Sequence, residues 1–252
     1  MAIVNGLATG VSVSGISKSY GGTAALVGVS LVLEEGVSVL LGRNGAGKST
    51  LFRILAGAER ADAGVVARGG VILDGGETWR EHRRRCGWLP QTTPLIRGLT
   101  VEEFLAYVAW LKEVPRSVVG ERIDAVLAAV DLVDRRRSRM DTLSGGMLRR
   151  VGVAQALIND PGLVLLDEPS AGLDPVQRAA FHRFVRRIAS ERMVVLSTHL
   201  LEDVAAVGER VFVIDEGRIR FAGDVDELAV GEGDRTERLR AGFLSVIGED
   251  GA

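Results

Sequence analysis

A single cysteine, Cys86, rules out an internal disulfide and suits a reducing compartment. No apolar run approaches the roughly 18 residues needed to span a bilayer. No N-terminal stretch combines a basic start, an apolar middle and a small-residue cleavage site. The expectation is a soluble, cytoplasmic chain that relies on another protein for any work at a membrane. An excess of one charge is also lacking: formal net charge is −2 and basic residues are scattered, which argues against a dedicated nucleic-acid surface. Internal repeats and low-complexity tracts are missing. Lysine is scarce, with only Lys18, Lys48 and Lys112 among 31 basic residues. What is plentiful is apolar, 46% of 252 residues, enough for a sizeable core in one large or two small domains.

One of the rare lysines ends the run Gly42-Arg43-Asn44-Gly45-Ala46-Gly47-Lys48-Ser49-Thr50, directly after apolar Val37–Leu41. Strand, glycine-rich turn and helix start follow in the order that phosphate binding requires. Glycines let successive backbone N–H groups turn toward an anion, and the helix beginning near Lys48 adds its positive end. Lys48 is placed to reach outer phosphates as a compact ammonium, and the Ser49 hydroxyl to hold Mg²⁺. The alternative, a strand-to-helix turn that binds nothing, lacks a reason for lysine in an arginine-rich chain.

The periodicities outline an α/β fold. Val11–Ser17 alternates as a half-buried antiparallel strand, Leu26–Leu33 follows as a second, and Val37–Leu41 reads as fully buried. Val71–Leu73 is a further short strand. After Gln91 the pattern turns helical. Val101–Lys112 carries Phe104, Leu105, Val108 and Leu111 on one stripe; Val118–Val130 carries Ile123, Val126, Leu127 and Val130. A third helix starts at Ser144, with Met147, Val151, Ala154 and Ile158 inward. Strands return at Leu163–Leu166, Met193–Leu196 and Val211–Ile214, with a helix over Pro175–Ile188 making a βαβ unit, and Arg218–Phe221 as an edge strand. Beyond about Val230 a loosely held tail is expected.

Leu163-Val164-Leu165-Leu166-Asp167-Glu168 is a buried strand ending in two carboxylates. Beside a phosphate loop, Asp167 suits Mg²⁺ through its water shell, and Glu168 suits orienting or deprotonating an attacking water. Alone, the same residues are a strand ending in an acidic turn. Ser144-Gly145-Gly146 is an N-cap followed by glycines that bare helix N–H groups, either a second phosphate cradle or an ordinary cap.

The phosphate loop, Leu143-Ser144-Gly145-Gly146, the Asp167-Glu168 strand, Gly172-Leu173-Asp174 and His199 stand in the order of an ABC-type ATPase, and the chain resembles that family from Val11 to about Ala229. The resemblance implies a P-loop NTPase core with a mixed sheet, N-terminal antiparallel β strands and an inserted α-helical subdomain. The single domain would cover 1–230, its core about 1–91 and 159–230, its insertion about 92–158, with 231–252 as the tail. It implies ATP with Mg²⁺, and a head-to-tail homodimer in which the Lys48 loop of one copy shares ATP with Ser144-Gly145-Gly146 of the other. Tyr20 sits where the family stacks a ring on adenine, with an edge tyrosine as the alternative. Gln91 matches the glutamine that reaches Mg²⁺ and the attacking water, Asp174 the loop crossing the dimer interface, and His199 the switch histidine at the γ-phosphate. Asp174 also suits a helix N-cap ahead of Pro175. His82 and His182 have no such context, and Arg83–Arg85 and Arg135–Arg137 read as solvated faces.

Met147 replaces the family's common glutamine and Ser170 its usual threonine. Leu-Ser-Gly-Gly-Met before an arginine-rich helix is similar to a bacterial exporter-type subgroup with separately encoded permeases, as is the tail segment Phe243–Gly248. The implied role is the ATP-hydrolysing subunit of a transporter, peripheral on the inner face of the membrane through a polytopic transmembrane permease, with no nucleic acid. A soluble ABC ATPase acting on ribosomes or DNA fits less well, because one domain and no sustained heptads are present. A regulatory module that binds ATP without hydrolysis is opposed by Lys48, Asp167, Glu168 and His199 together.

Overall fold

Along each central strand, neighbouring side chains enter two different cores. Val37, Val39 and Leu41 of β3 (Gly36–Leu41) pack with one cluster and Leu40 with the other. The same split divides Val164 and Leu166 from Leu163 and Leu165 on β7 (Leu163–Asp167), and Val194 and Leu196 from Met193 and Val195 on β8 (Met193–Thr198). A strand covered on both faces needs a continuous apolar run, which is why these segments do not alternate. The computed structural model describes residues 10–92 and 96–248. The ends of the expected domain and tail, 1–9 and 249–252, and residues 93–95 of the expected insertion lie outside them.

β3, β7 and β8 belong to a six-stranded sheet with β6 (Cys86–Leu89), β9 (Arg210–Asp215) and β10 (Arg218–Asp224), ordered β10-β9-β3-β8-β7-β6. Only β10 runs antiparallel, so the sheet is mixed as expected. A second, antiparallel sheet joins β1 (Val11–Tyr20), β2 (Thr23–Leu33), β4 (Ala63–Arg68) and β5 (Val71–Ile72) in the order β2-β1-β4-β5. It covers one core together with α1 (Lys48–Leu55). On the other face stand α3 (Val101–Leu111), α4 (Val119–Ala129), α5 (Gly145–Leu157), α6 (Pro175–Ile188) and α7 (Leu201–Val207). The β7–α6–β8 crossover is the expected βαβ unit. None of the helices in the described residues is long and apolar enough to cross a membrane.

Two expectations need correction. The segment after Val230 is no loose tail: α9 (Arg235–Ile247) is capped by Asp234, buries Leu239, and packs against α7 and the short α8 (Val225–Leu228). Leu111 leaves the α3 stripe and is 54% exposed, while Val101 joins it. The arginine clusters lie at the surface as expected, and two of their members form ion pairs there. Arg136 pairs with Glu102 on α3 and Asp124 on α4, and Arg84 on α2 (Gly76–Arg84) pairs with Glu113. Lys112 completes that junction by donating to the carbonyls of Arg83 (3.0 Å) and Cys86 (2.8 Å), fastening the end of α3 to α2 and β6.

His82 of α2 is 1% exposed, and its Nε2 lies 2.6 Å from the Leu55 carbonyl at the end of α1. Burial pushes its pKa down to about 4, against the lesser pull of that carbonyl. The ring is neutral when folded but protonates in the unfolded chain below the ordinary histidine value of 6.5. Its contribution is therefore fully present above that pH and is lost as pH falls to about 4, on the order of 3 kcal/mol in all. Urea unfolding is expected to show stability dropping across this window, and His82→Gln, which keeps a donor for Leu55 but does not titrate, to flatten the drop. An equally steep profile in the variant would assign the acid sensitivity elsewhere.

Candidate functional site

The site forms at the C-terminal ends of β3, β8 and β7, where an open parallel sheet leaves its crevice. After β3 the chain turns through Gly42–Gly47 into α1. Gly47 is the N-cap with φ of 104°, and a Cβ there would stand 2.6 Å from the Ala25 carbonyl, so both conformation and space demand glycine. No side chain caps α1, which leaves its first N–H groups to the hollow of the loop. Lys48, 5% exposed, is drawn into that hollow, donating to the carbonyls of Gly42 (2.7 Å) and Arg43 (3.1 Å). Arg43, Asn44 and Gly45 are exposed around it, with Ala46 buried beneath; Ser49 is half-buried and Thr50 buried in the first turn.

Asp167 ends β7, buried, with Oδ1 accepting from Ser197 Oγ at 2.6 Å; Ser197 is its partner in register on β8. Glu168 follows in the left-handed region, φ 48°, which costs a non-glycine residue about 1 kcal/mol or more and persists only where the surroundings impose it. Those surroundings are its N–H on Ser197 (Oγ, 3.0 Å) and both oxygens of its buried carboxylate. Oε2 lies 2.9 Å from His199 Nδ1, just beyond β8, and Oε1 lies 3.1 Å from Lys48 Nζ as an ion pair without good hydrogen-bond geometry. The sheet thus brings Lys48, Asp167, Glu168 and His199 together from three separate segments.

Gln91 stands two residues past β6, exposed, and its carbonyl accepts from Arg149 at 2.8 Å. Arg149, on α5, also donates to the Asp167 carbonyl (2.8 Å) and the Glu168 carbonyl, tying Gln91 to the acidic strand end. Burial lowers its pKa while Asp167 and Glu168 oppose that shift. Sequence reasoning passed over Arg149, although a signal existed. From Val151 onward α5 is buried nearly all round, so an arginine one turn into it must find protein acceptors.

A second missed group centres on Asp203 in the first turn of α7, buried, accepting from Thr198 Oγ1 (2.8 Å), Ser170 Oγ and His182 Nε2 (2.8 Å). Burial works against its ionisation, but hydrogen bonds from His182, Ser170 and Thr198 prevail and hold its carboxyl below the usual carboxylate range. His182, assigned no role from sequence, is therefore a partner of the strand end that carries His199.

Tyr20, at the end of β1, is 42% exposed; its hydroxyl donates to Glu59 at 2.7 Å, and Arg53 bridges that hydroxyl (3.3 Å) to Thr50 Oγ1 (3.2 Å). Ser144 Oγ caps α5 by accepting from Met147 N–H at 3.3 Å, and a Cβ on Gly145 or Gly146 would meet nothing within 4 Å. Asp174 Oδ1 caps α6 on Gln177 N–H at 2.8 Å, with Pro175 at the first turn. The oxygen donors of Ser49, Asp167 and Gln91 are of the kind a hard cation takes. No cluster of three His, Cys, Asp or Glu side chains among the described residues forms a metal cage, so such a cation would lean on phosphate oxygens.

A family model described as ABC transporter matches residues 26–171, more than half of the chain and spanning both the Lys48 loop and Glu168. The chain belongs to the ABC transporter family. It is 34% identical to the Nod factor export ATP-binding protein I of Ralstonia nicotianae over 242 residues, 95% of this chain and 73% of that protein. It is also 36% identical to the methionine import ATP-binding protein MetN of Rhizobium johnstonii, over 85% of this chain and 61% of that one. A solved ATP-binding subunit of an ABC transporter superposes with a TM-score of 0.80 at 26% identity, covering 94% of this chain and 99% of that one. The chain is thus an ATP-binding, ATP-hydrolysing ABC transporter subunit. The expected fold, with its antiparallel sheet beside the mixed one, is the one found.

Proposed function

We propose that two copies of this chain close head to tail on ATP and drive a separately encoded transmembrane permease, in the direction of export. The observation that carries the reading is Glu168 held between Lys48 and His199 at the mouth of the glycine loop. In that arrangement Lys48 and the loop N–H groups hold the β- and γ-phosphates, which compete with Glu168 for the lysine ammonium. Glu168 takes a proton from water as its oxygen attacks the γ-phosphorus and the bond to ADP breaks, while His199 contacts the γ-phosphate. Mg²⁺, which Ser49, Asp167 and Gln91 would hold, neutralises phosphate charge when bound. Tyr20 stacks on adenine through its exposed face.

Ser144, Gly145 and Gly146 are open to an occupant from outside the chain, which supports their closing on the ATP of a second copy across Asp174. The helical segment within about 92–158 exposes Tyr107, Trp110 and Leu111 on α3, with the two aromatic rings stacked at 6.1 Å, a surface suited to the permease. Through it the subunit would sit on the inner face of the membrane. Export is favoured by the Leu-Ser-Gly-Gly-Met motif and by the match to an export protein over 95% of this chain, against 85% for an import protein.

The test is an affinity pull-down of Glu168→Gln with ATP from detergent-solubilised membranes of the source cell. Recovery of a polytopic membrane protein in stoichiometric amount is expected. Ribosomal proteins or nucleic acid in its place would overturn the permease reading. Reconstitution with the recovered protein in vesicles then decides direction by the side on which cargo accumulates.

A further inference from the structure

One guanidinium joins the two parts of this chain that face different nucleotides in the proposed dimer. Arg149 lies one turn into α5, the helix whose first residues are Gly145 and Gly146. Its Nε donates to the Pro169 carbonyl (3.3 Å), Nη1 to those of Gln91 (2.8 Å) and, more distantly, Pro90 (3.5 Å), and Nη2 to those of Asp167 (2.8 Å) and Glu168. A guanidinium carries five N–H donors in a rigid plane, and five backbone carbonyls take them here. Two belong to the segment leaving β6, three to the segment at the end of β7. None is a carboxylate, so the bonds set backbone position rather than neutralise a charge.

This matters because Glu168 sits at φ 48°, a conformation its neighbours must impose. Arg149 grips the peptide units on both sides of that residue and, with the same plane, the carbonyl of Gln91. Charge-assisted bonds of this kind are stronger than neutral ones. A shift of α5 must therefore carry Gln91 and Glu168 with it or break several of them together.

We propose that Arg149 is the positioning residue that couples the two ATP sites of the dimer, transmitting engagement of Ser144–Gly146 on one nucleotide to the placement of Gln91 and Glu168 on the other. This rests on the head-to-tail reading above. Lysine, with three donors on one nitrogen, keeps the charge but cannot hold five carbonyls in a plane.

Coupling is read by comparing turnover per intact site in two dimers, isolated through two affinity tags. One is the native homodimer; in the other, one copy carries Lys48→Ala, so its partner's Ser144 end faces an emptied site. With native Arg149, turnover at the intact site is expected to fall at least about 5-fold in the mixed dimer. With Arg149→Lys or Arg149→Gln in both copies, turnover is slow and equal per site in the two dimers. The variants are expected to be folded but less stable, since part-buried carbonyls lose their donor. ATP affinity stays near native, whereas a merely structural role would lower affinity and turnover together and leave the ratio between the two dimers unchanged. A native coupling ratio of one, an undiminished ratio in the variants, or loss of the folded state in both variants overturns the proposal. Sedimentation of Glu168→Gln with ATP separates the two levels. A monomer there removes the head-to-tail reading and the coupling with it, whereas a dimer whose ratio ignores Arg149 removes the coupling alone.

Discussion

Glu168→Gln is expected to keep ATP binding and to lose at least about 100-fold in turnover. Glutamine fills the same space and can still meet His199 Nδ1, now 2.9 Å from Glu168 Oε2. It cannot accept a proton from water. It also removes the ion pair with Lys48, so the lysine ammonium is released to phosphate and affinity for ATP holds or rises. Nucleotide binding by fluorescence and phosphate release by a coupled assay separate the two effects. Glu168→Asp, one methylene shorter, is expected to retract the carboxylate from both Lys48 and His199 and to be slow as well. Hydrolysis near the native rate in the glutamine variant would remove Glu168 from the role of base.

Gly87→Ala is expected to cost about 3 kcal/mol of stability and most of the activity, although residue 87 is not among the proposed nucleotide contacts. A Cβ on Gly87 of β6 would stand 1.8 Å from the Ala156 carbonyl of α5 and 2.9 Å from Pro161 Cγ. The backbone there is not left-handed; the requirement is space alone, set by the close approach of α5 to β6. Relief must come from moving one of the two. β6 leads to Pro90 and Gln91 while α5 carries Ser144 and Arg149, so either movement reaches the site. Urea unfolding measures the first effect and phosphate release the second. A loss below about 0.5 kcal/mol would show that the two elements slide apart freely.

The phosphate loop, the buried strand ending in Asp167-Glu168, the Ser144 cap and the β7–α6–β8 unit were legible in the sequence because each is local. Glycine placement, an unbroken apolar run or a cap followed by a periodic helix leaves its mark within some ten residues. The elements that escaped notice are those whose stability comes from their neighbours. β6 is four residues long and contains a glycine, and it exists because β7 and α5 hold it. The polar helix α2 buries only His82, and α9 is pinned by Leu239 and by Gly242 lying against the Leu228 carbonyl.

The residue types that the proposed chemistry calls on were therefore determined by the sequence itself: a lysine after a glycine turn, two carboxylates at a strand tip, a histidine at another. That Glu168 lies between Lys48 and His199 was decided by the strand order, which sets β8 between β3 and β7 and brings together residues more than a hundred positions apart. Arg149 on five carbonyls, and Asp203 gathering Ser170, Thr198 and His182, were likewise decided there. A buried charge must find its partners among whatever the packed fold brings near it, and one-dimensional spacing carries no record of that neighbourhood.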